Sequence, residues 1–407
     1  MKLTPDVVWF TWFLGALIGL TATSIDIVLP ALIRVAEDLH TRQTIAQQII
    51  SVFMLGYAIG QLMWGAVSDR LGRKPVLMIG LAIYAAASLA IYLSQSIEQI
   101  IGFRFLQAIG ASVGAVVGRA IVRDYHEGIE GARLLSHMTA IMAFAIVFAP
   151  LAGSYILILF DWRAIFLFLL LTGFVFLAVT RFFMTEPPRK KRLQVSAWGQ
   201  LMTDGAQFFT HKSCVLSVVV AALSGAVLFL YIAGSPYLFM TVFGLSSADY
   251  GYVFAFIGLA YGGAAWINGR LIRRLGLHFL LRQGAGLVFS GGVLLLLLSL
   301  SSAPSFWASI LAMMLIEAGV ATLIPTVTVV ALQPYPQAAG LAASIVGAAQ
   351  IGFSALAAAA VTLTFDGAPF LLMRSFFVMS TLLGIGVWAL ICASRGAFQS
   401  DQRHSAG

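Results

Sequence analysis

Long apolar stretches alternate with short polar segments along the whole chain. Twelve of them reach the roughly 20 apolar residues that an α-helix needs to cross a membrane. They lie at residues 8–29, 46–67, 76–94, 99–121, 135–157, 163–183, 214–235, 249–269, 283–301, 305–330, 337–362 and 370–393. The pattern predicts an all-α membrane protein with twelve transmembrane helices, in which a Ser/Pro turn at Ser301–Ser305 separates the ninth and tenth spans.

The composition agrees with this pattern and excludes a water-soluble protein. Hydrophobic residues make up 60% of the 407 residues and charged residues only 10%, against about 25% charged residues in soluble domains. So little charge cannot cover the surface of a globule in water. Two cysteines and six histidines are too few for a disulfide scaffold or a histidine-rich metal site, and we predict no metal.

The distribution of Lys and Arg predicts the orientation of the spans. With the N-terminus in the cytoplasm, 19 of the 24 Lys and Arg fall in cytoplasmic segments and four on the opposite side, as the positive-inside rule requires. Both termini are therefore expected in the cytoplasm. The net charge of +8 reflects this topology, and no nucleic-acid partner is predicted. We interpret the first span as retained rather than as a signal peptide.

The longest cytoplasmic loop divides the chain into two halves. It gives an N-terminal six-helix bundle at 1–184, a cytoplasmic linker at 185–212, and a C-terminal six-helix bundle with a short tail at 213–407. The segment Gly65–Gly72 after the second span matches Gly269–Gly276 after the eighth, at a constant offset of 204 residues. This repeat predicts a duplicated unit and two pseudo-symmetric bundles.

Three ionisable side chains lie well inside the predicted spans: Asp26, Arg104 and Glu317. Each charge costs several kcal/mol there and needs a partner or an aqueous cavity. Asp26 and Arg104 lie at similar depth, roughly 6–8 Å below the outer face at 1.5 Å per residue, so an ion pair between them is geometrically reasonable if the first and fourth spans are neighbours. That pair is either structural, fixing the register of two helices, or a proton-coupling site in which Asp26 carries the proton and Arg104 tunes it.

Other polar side chains in the spans are candidates for a substrate cavity. Glu317 is a candidate substrate or second proton residue, with an acid hydrogen-bonded to a neighbouring span as the alternative. Gln61, Gln107 and Tyr231 are further cavity candidates, although such groups also serve as interhelical hydrogen bonds. Gly110-Ala-Ser-Val-Gly114 matches the nucleophile elbow G-x-S-x-G, but no strand precedes it and no histidine lies at its depth, so we predict no enzyme.

Several motifs resemble a known family. The sequence GAVSDRLGRKP at 65–75 resembles the signature loop of the major facilitator superfamily. Further segments are similar to its Bcr/CflA-type drug:proton antiporters, namely SIDIVLPA (24–31), FRFLQAIGAS (103–112), RAIVRD (119–124), FAPLAG (148–153), YIAGSPY (231–237) and AGLAASIVG (339–347). The chain departs from these motifs at Ala145 and Ala149, where glycines are usual, and at Val28, where an aromatic residue is usual.

The resemblance implies a twelve-helix transporter of the major facilitator fold in the bacterial inner membrane. It implies proton-driven efflux of a small amphipathic molecule, such as a phenicol or a bicyclomycin-like drug, by a monomer that works by alternating access. The proton gradient would be the energy source, with no cofactor, and the sequence has no G-x-x-x-x-G-K-[ST] nucleotide motif. Export of an endogenous metabolite or siderophore, and proton-coupled uptake, stay open as alternatives.

The resemblance also implies a gating motif and an antiporter motif. The gating residues are Gly65, Asp69, Arg70, Gly72, Arg73 and Arg123, and the antiporter motif includes Pro150 and Gly153. Asp69 is expected to pair with Arg73, Arg119 or Arg123, or with the start of the eleventh span near Gln337. Gly65 and Gly72 are expected to permit a tight turn. The network is either a latch that holds the cytoplasmic gate shut or a topology anchor.

Overall fold

The computed structural model describes residues 8–125, 128–187, 208–301, 304–333, 339–364 and 369–404. The predicted all-α architecture is confirmed. In the described ranges the α-helices are α1 (Val8–Asp26), α2 (Leu32–Asp38), α3 (Gln43–Leu71), α4 (Arg73–Tyr92), α5 (Ile97–Tyr125), α6 (Gly128–Leu159), α7 (Arg163–Phe183), α8 (Lys212–Pro236), α9 (Ser247–Leu275), α10 (Leu277–Ser299), α11 (Phe306–Leu332), α12 (Ala339–Thr364) and α13 (Pro369–His404).

Ten helical segments of the described ranges are long and apolar enough to cross a membrane. Two shorter apolar segments, Phe144–Leu159 and Ile345–Ala357, fall at the fifth and eleventh predicted spans. α10 ends at Ser299 and α11 begins at Phe306, which confirms the division between the ninth and tenth spans. The predicted linker at 185–212 lies largely outside the described residues.

The first span differs from its predicted boundary because it is broken and then continues. α1 ends at Asp26, a 3-10 turn covers Leu29–Ala31, and α2 continues the span to Asp38, whereas the predicted end was residue 29. Pro30 has no N–H to donate to the carbonyl of Asp26. The backbone N–H of Val28 donates to the Ile25 carbonyl at 3.3 Å, so the α-helical ladder is interrupted directly beside Asp26.

The repeat is visible in the backbone as well as in the sequence. α3 and α9 each have 29 residues, and they start 204 residues apart. Each is followed directly by a glycine, with φ/ψ of 102°/163° at Gly72 and 75°/163° at Gly276. A positive φ favours glycine because it has no Cβ, so Gly72 forms the turn as predicted. The turn role predicted for Gly65 is wrong, because Gly65 lies inside α3, where an added Cβ would meet no atom within 4 Å.

Packing divides the chain into two compact units. Unit 1 comprises Met1–Arg192 and Ser235–Ala255. Within it α5 packs against α1, α3 and α4, while α1 also packs against α6 and α4 against α7. Close approach depends on glycine, since a Cβ added at Gly56 would lie 2.5 Å from the Phe105 carbonyl oxygen. α5, which carries Arg104, is therefore a central helix of unit 1.

Unit 2 comprises Leu193–Gly234 and Phe256–Gly407. In it α10 packs against α11 and α13, and α11 also contacts α12. The crossing of α10 and α11 repeats that of α4 and α5. A Cβ on Gly319 would lie 2.6 Å from the Gly284 carbonyl oxygen, and one on Gly110 would lie 2.7 Å from that of Gly80. The division of the sequence into two six-span halves rests on the repeat and stays a prediction.

Candidate proton-coupling and gating sites

Asp26 is a buried acid at the break in the first span. It is 4% exposed, and among the described residues no hydrogen bond or ion pair reaches its carboxylate. Its electrostatic neighbour is the hydroxyl of Tyr250, also in unit 1, which shares a 2.9 Å hydrogen bond with Ser235. An ionised carboxylate in such a place costs several kcal/mol unless water or a partner reaches it.

Arg104 is a fully buried cation, with an exposure of 0%. Its Nη1 donates to the carbonyl oxygen of Ser24 at 3.1 Å and to Oε1 of Gln107 at 2.7 Å. Its Nε donates to the Ile49 carbonyl at 3.4 Å, and its guanidinium carbon lies 4.2 Å from the ring centroid of Phe53. Nη2 has no hydrogen-bond partner among the described residues. Neutral acceptors and an aromatic face thus surround this charge.

The predicted ion pair between Asp26 and Arg104 is not formed, since none of the ion pairs between described residues joins them. Arg104 contacts α1 through the carbonyl of Ser24 instead. A helix turns by about 100° per residue, so Asp26, two positions further on, faces away from the Ser24 side. Similar positions along two helices therefore do not bring their side chains together, because each side chain also has a direction around its helix axis.

Gln107 belongs to a buried network that fixes Arg104. Besides accepting from Arg104, it donates through Nε2 to Oγ of Ser88 at 2.7 Å, and Ser88 donates to the Tyr84 carbonyl. Ser24 donates to the Leu20 carbonyl at 2.6 Å, so Tyr84 must donate its hydroxyl hydrogen to Ser24 in their 2.7 Å hydrogen bond. The Gln107 amide is 0% exposed, and its oxygen and its nitrogen both form hydrogen bonds within this network.

Sequence reasoning missed Tyr84 and Ser88, although a weak signal was present. The two residues stand one helical turn apart in the largely apolar third span, and polar residues at this spacing share a helix face. Nothing in a single sequence shows that this face meets α1 and α5.

Glu317 is the buried acid of unit 2. It lies on α11, is 2% exposed, and its Oε1 has no hydrogen-bond partner among the described residues. Tyr261 on α9 is its electrostatic neighbour in the same unit. Tyr231 on α8, another cavity candidate, is 3% exposed. None of the ion pairs between described residues includes Glu317, so this buried carboxylate of unit 2 has no cationic partner among them.

Gln61 lies in a partly exposed polar cluster on unit 1. Its Nε2 donates to the hydroxyl of Tyr57 at 2.6 Å, and Tyr57 also accepts a hydrogen bond from Arg119. Arg119 donates through Nε to the Ala115 carbonyl at 2.7 Å. Of the predicted cavity residues in unit 1, Gln61 is the one that the structure leaves accessible. Tyr57 was missed by the sequence analysis.

Arg73 is the centre of the gating motif. Its Nη1 donates to Oδ1 of Asp69 at 2.7 Å and its Nε to Oδ2 of Asp124, also at 2.7 Å. Nη1 further donates to Oγ of Ser68 at 2.8 Å. The pairing of Asp69 with Arg73, one of the expected alternatives, is therefore formed. Arg70 is exposed, and the side chain of Arg123 lies outside the part of the chain that the structure describes.

Glu186 joins this network from the segment after α7. Its two carboxylate oxygens accept from the backbone N–H groups of Arg73 and Lys74 at 2.6 and 2.9 Å. These are the first residues of α4, where free N–H groups and the helix dipole favour an anion. The Lys74 ammonium donates to the Met184 carbonyl at 2.6 Å. Glu186 and Asp124, which the sequence analysis missed, thereby tie the ends of α3, α4, α5 and α7 together.

The antiporter motif packs against the break in the first span. Pro150 lies inside α6, which continues to Leu159. The atom nearest to a Cβ added at Gly153 is the carbonyl oxygen of Ile27, and any side chain there would force the two helices apart. Gly153 therefore allows α6 to approach the backbone directly after Asp26.

An all-helical membrane fold with an internal repeat and buried carboxylates inside its spans is typical of secondary transporters. The sequence matches the Major Facilitator Superfamily over residues 11–362. The chain belongs to this superfamily, and it is accordingly a transporter, needs no cofactor and is not an enzyme.

Two curated relatives and one solved structure illustrate the similarity. The chain is 26% identical to a bicyclomycin resistance protein homolog of Haemophilus influenzae over 352 residues, which cover 85% of this chain and 87% of the relative. It is 30% identical to a chloramphenicol resistance protein of Pseudomonas aeruginosa over 329 residues, which cover 80% and 77%. The crystal structure of a D-xylose-proton symporter superposes with a TM-score of 0.77 at 15% identity and covers 94% of this chain and 97% of its own. This last likeness concerns the fold alone.

Proposed function

We propose that this transporter exports small amphipathic drug-like molecules across the bacterial inner membrane in exchange for protons. Both termini would lie in the cytoplasm, and the two six-helix bundles would alternate access to a central site. The names of the two relatives support the substrate class, since they refer to resistance to bicyclomycin and chloramphenicol. Efflux is the simplest transport process that protects a cell from such compounds.

The single observation that carries proton coupling is the environment of Asp26. Its carboxylate is 4% exposed, unpaired among the described residues, and located where α1 is interrupted. Because ionisation there is costly without water, a change in water access changes the protonation of Asp26. A conformation open to the outside would load the proton, and one open to the cytoplasm would release it.

The driving force is adequate for export. Each elementary charge that crosses the membrane contributes about 2.3 kcal/mol per 100 mV, which is close to a fifty-fold concentration gradient. Arg104 would influence Asp26 through the low-dielectric interior of unit 1 rather than by contact. Because its guanidinium holds the Ser24 carbonyl, it moves with the helix that carries the acid.

Glu317 and the Arg73 network have separate proposed roles. Glu317 would attract the cationic groups of substrates from within unit 2, or serve as a second proton site. The Asp69–Arg73–Asp124 network would close the cytoplasmic gate. The charge-assisted hydrogen bonds to Arg73 are short, and such bonds have the directional strength that a latch needs.

Asp26→Asn tests the proposal in proteoliposomes, where chloramphenicol binding and pH-gradient-driven flux are measured side by side. The amide keeps the shape of the side chain but cannot carry the proton. We expect uphill flux to be abolished and binding to be retained. Asp161→Asn is the matched control, because Asp161 is an exposed acid with 58% of its side chain accessible, and this variant should transport normally. Uphill accumulation by Asp26→Asn would place the coupling acid elsewhere, with Glu317 next.

A further inference from the structure

A groove of about 180 Å³ with mostly apolar walls lies in unit 2 between α9, α10 and α11. Leu280 in its floor is 1% exposed, whereas Ile267 at its rim is 48% exposed, so the groove opens on the surface of the unit. Both α9 and α10 have spans long and apolar enough to cross a membrane, which makes the opening accessible to a lipid chain. An apolar cavity of about 150 Å³ takes up benzene, so this groove has room for a chain segment of about six carbons.

Two arginines continue the rim of the groove towards the end of α9. Ile267, Arg270 and Arg274 are spaced by three and four residues and therefore share one face of the helix. Both arginines are exposed, and the guanidinium carbon of Arg270 lies 3.4 Å from the ring centroid of Trp266. A guanidinium stacked on an indole keeps its planar edge of N–H donors for an anion such as phosphate. Tryptophan and arginine at the end of a span are typical of the membrane–water interface.

The two arginines have no acidic partner close to them in the sequence. Residues 256–316 contain four arginines and no Asp or Glu. None of the ion pairs between described residues includes Arg270 or Arg274. Cationic clusters at the end of a spanning helix attract the headgroups of anionic phospholipids, and the groove places an apolar channel directly beside this cluster.

The repeat shows how the matched turn of unit 1 balances its positive charge. There Arg73 pairs with Asp69 and with Asp124, both at 2.7 Å. Unit 2 has Arg273 at the position that matches Asp69, so an acid is replaced by a further cation. The charge that unit 1 neutralises with its own carboxylates is thus left in unit 2 for an anion from outside the chain.

We propose that the groove and the arginines at its end bind one anionic phospholipid. The lipid phosphate accepts hydrogen bonds from Arg270 and Arg274, and one acyl chain lies in the groove along Ile267 and Leu280. In the predicted orientation the lipid belongs to the cytoplasmic leaflet. The site lies within unit 2, and it depends neither on the direction of transport nor on the transported substrate.

Native mass spectrometry of the full-length protein, purified in detergent and titrated with lipid, counts the bound molecules. The probes are phosphatidylglycerol and phosphatidylcholine with the same palmitoyl and oleoyl chains, so that the net charge of the headgroup differs between them. We expect the first phosphatidylglycerol to bind about 25-fold more tightly, since each of the two arginines contributes about fivefold. Equal binding of the two lipids would overturn the proposal, because the groove would then be a general lipid contact.

Arginine variants locate the headgroup. Arg270→Gln and Arg274→Gln should each lower the preference for phosphatidylglycerol about fivefold, and the double variant should remove it. Arg282→Gln is the matched control, because Arg282 is an exposed arginine of α10 that lies two residues after Leu280 and thus about 200° away around the helix. This control should keep the preference. A preference that survives the double variant, or that the control loses to the same extent, would contradict the assigned site.

Two further measurements distinguish a lipid from a free phosphate group. Glycerophosphate carries the anion without the chains, and at equal concentration it should not displace phosphatidylglycerol. Ala264→Phe fills the groove from α9, since Ala264 lines it, and should weaken the binding of both lipids. Displacement by glycerophosphate, or unchanged lipid binding by Ala264→Phe, would show that the groove holds no acyl chain and would overturn the proposal. The arginine variants test the site independently if Ala264→Phe does not fold.

Discussion

A double-mutant cycle on Arg104 and Gln107 would show whether Gln107 positions the cation or contacts substrate. In the structure Oε1 of Gln107 accepts from Arg104 at 2.7 Å, and both side chains are 0% exposed. A hydrogen bond to a charged group contributes about 1.5–3 kcal/mol. Gln107→Leu removes this bond and leaves a buried charge with fewer acceptors, so the free energy of unfolding should fall by about 2–3 kcal/mol.

The same substitution should behave differently once the charge is gone. In Arg104→Met, Gln107 keeps a buried acceptor without its donor, a defect of about 1–3 kcal/mol. Gln107→Leu then removes that orphaned group and should be nearly neutral or stabilising. The two effects should therefore be non-additive by about 2–3 kcal/mol, the upper part of the range for contacting residues. Arg104→Lys should not restore the wild-type stability in full, because an ammonium lacks the planar fork whose Nη1 reaches Ser24 and Gln107 while its Nε reaches Ile49.

Chemical unfolding in detergent measures the stabilities, and drug efflux in proteoliposomes supplies the functional readout. If Gln107 acts through Arg104, adding Gln107→Leu to Arg104→Met should leave the KM for chloramphenicol unchanged. Additive stability effects, or a KM that rises with Gln107→Leu in both backgrounds, would refute the reasoning. A KM that rises with Gln107→Leu in both backgrounds would show that Gln107 contacts the substrate.

The other predictions concern the gate, the second acid and the helix cap. Asp69→Asn should lower drug efflux at matched expression while costing at most about 1 kcal/mol of stability, because the Asp69 side chain is 48% exposed. Unchanged efflux would show that the loop is only a topology anchor. Glu317→Gln should impair export of cationic drugs more than neutral ones in a susceptibility panel, and equal losses would point to a structural or proton-carrying role. Glu186→Ala should destabilise the start of α4 by about 1 kcal/mol, seen as faster amide exchange at Arg73 and Lys74, and unchanged exchange would exclude the cap.

The spans could be predicted from the sequence because hydrocarbon requires long apolar helices, whatever their neighbours. The end of the first span could not. Residues 32–38 contain Arg34, Glu37 and Asp38, and such charges are typical of a loop. In the structure Arg34 donates to the Leu157 carbonyl at 3.1 Å, and Asp38 pairs with Arg163 at 3.0 Å. These partners are more than 100 residues away, and tertiary contacts of this kind have no signature in a single sequence.

The buried charges of the candidate sites were predictable and their partners were not. Asp26, Arg104 and Glu317 stand out because ionisable residues are rare in apolar spans. Their contacts depend on the rotation of each helix about its axis, which hydropathy leaves undetermined when a span is apolar on most faces. Glu186 and Asp124 were missed for the opposite reason. They lie in polar segments, where charged residues are common and a single one does not indicate a site.

Comparison of the two units distinguishes the residues that form the turn after α3 from the residues of the proposed cytoplasmic gate. Gly72 and Gly276 have the same kind of positive-φ geometry, so the turn itself is common to both repeats. The positions that match Asp69 and Arg73 are Arg273 and Leu277, which cannot reproduce the acid–arginine pair. The turn of unit 2 therefore forms without it. Since the turn of unit 2 forms without an acid–arginine pair at the matched positions, the Asp69–Arg73–Asp124 network of unit 1 is better explained by a role in gating than by a role in folding the loop.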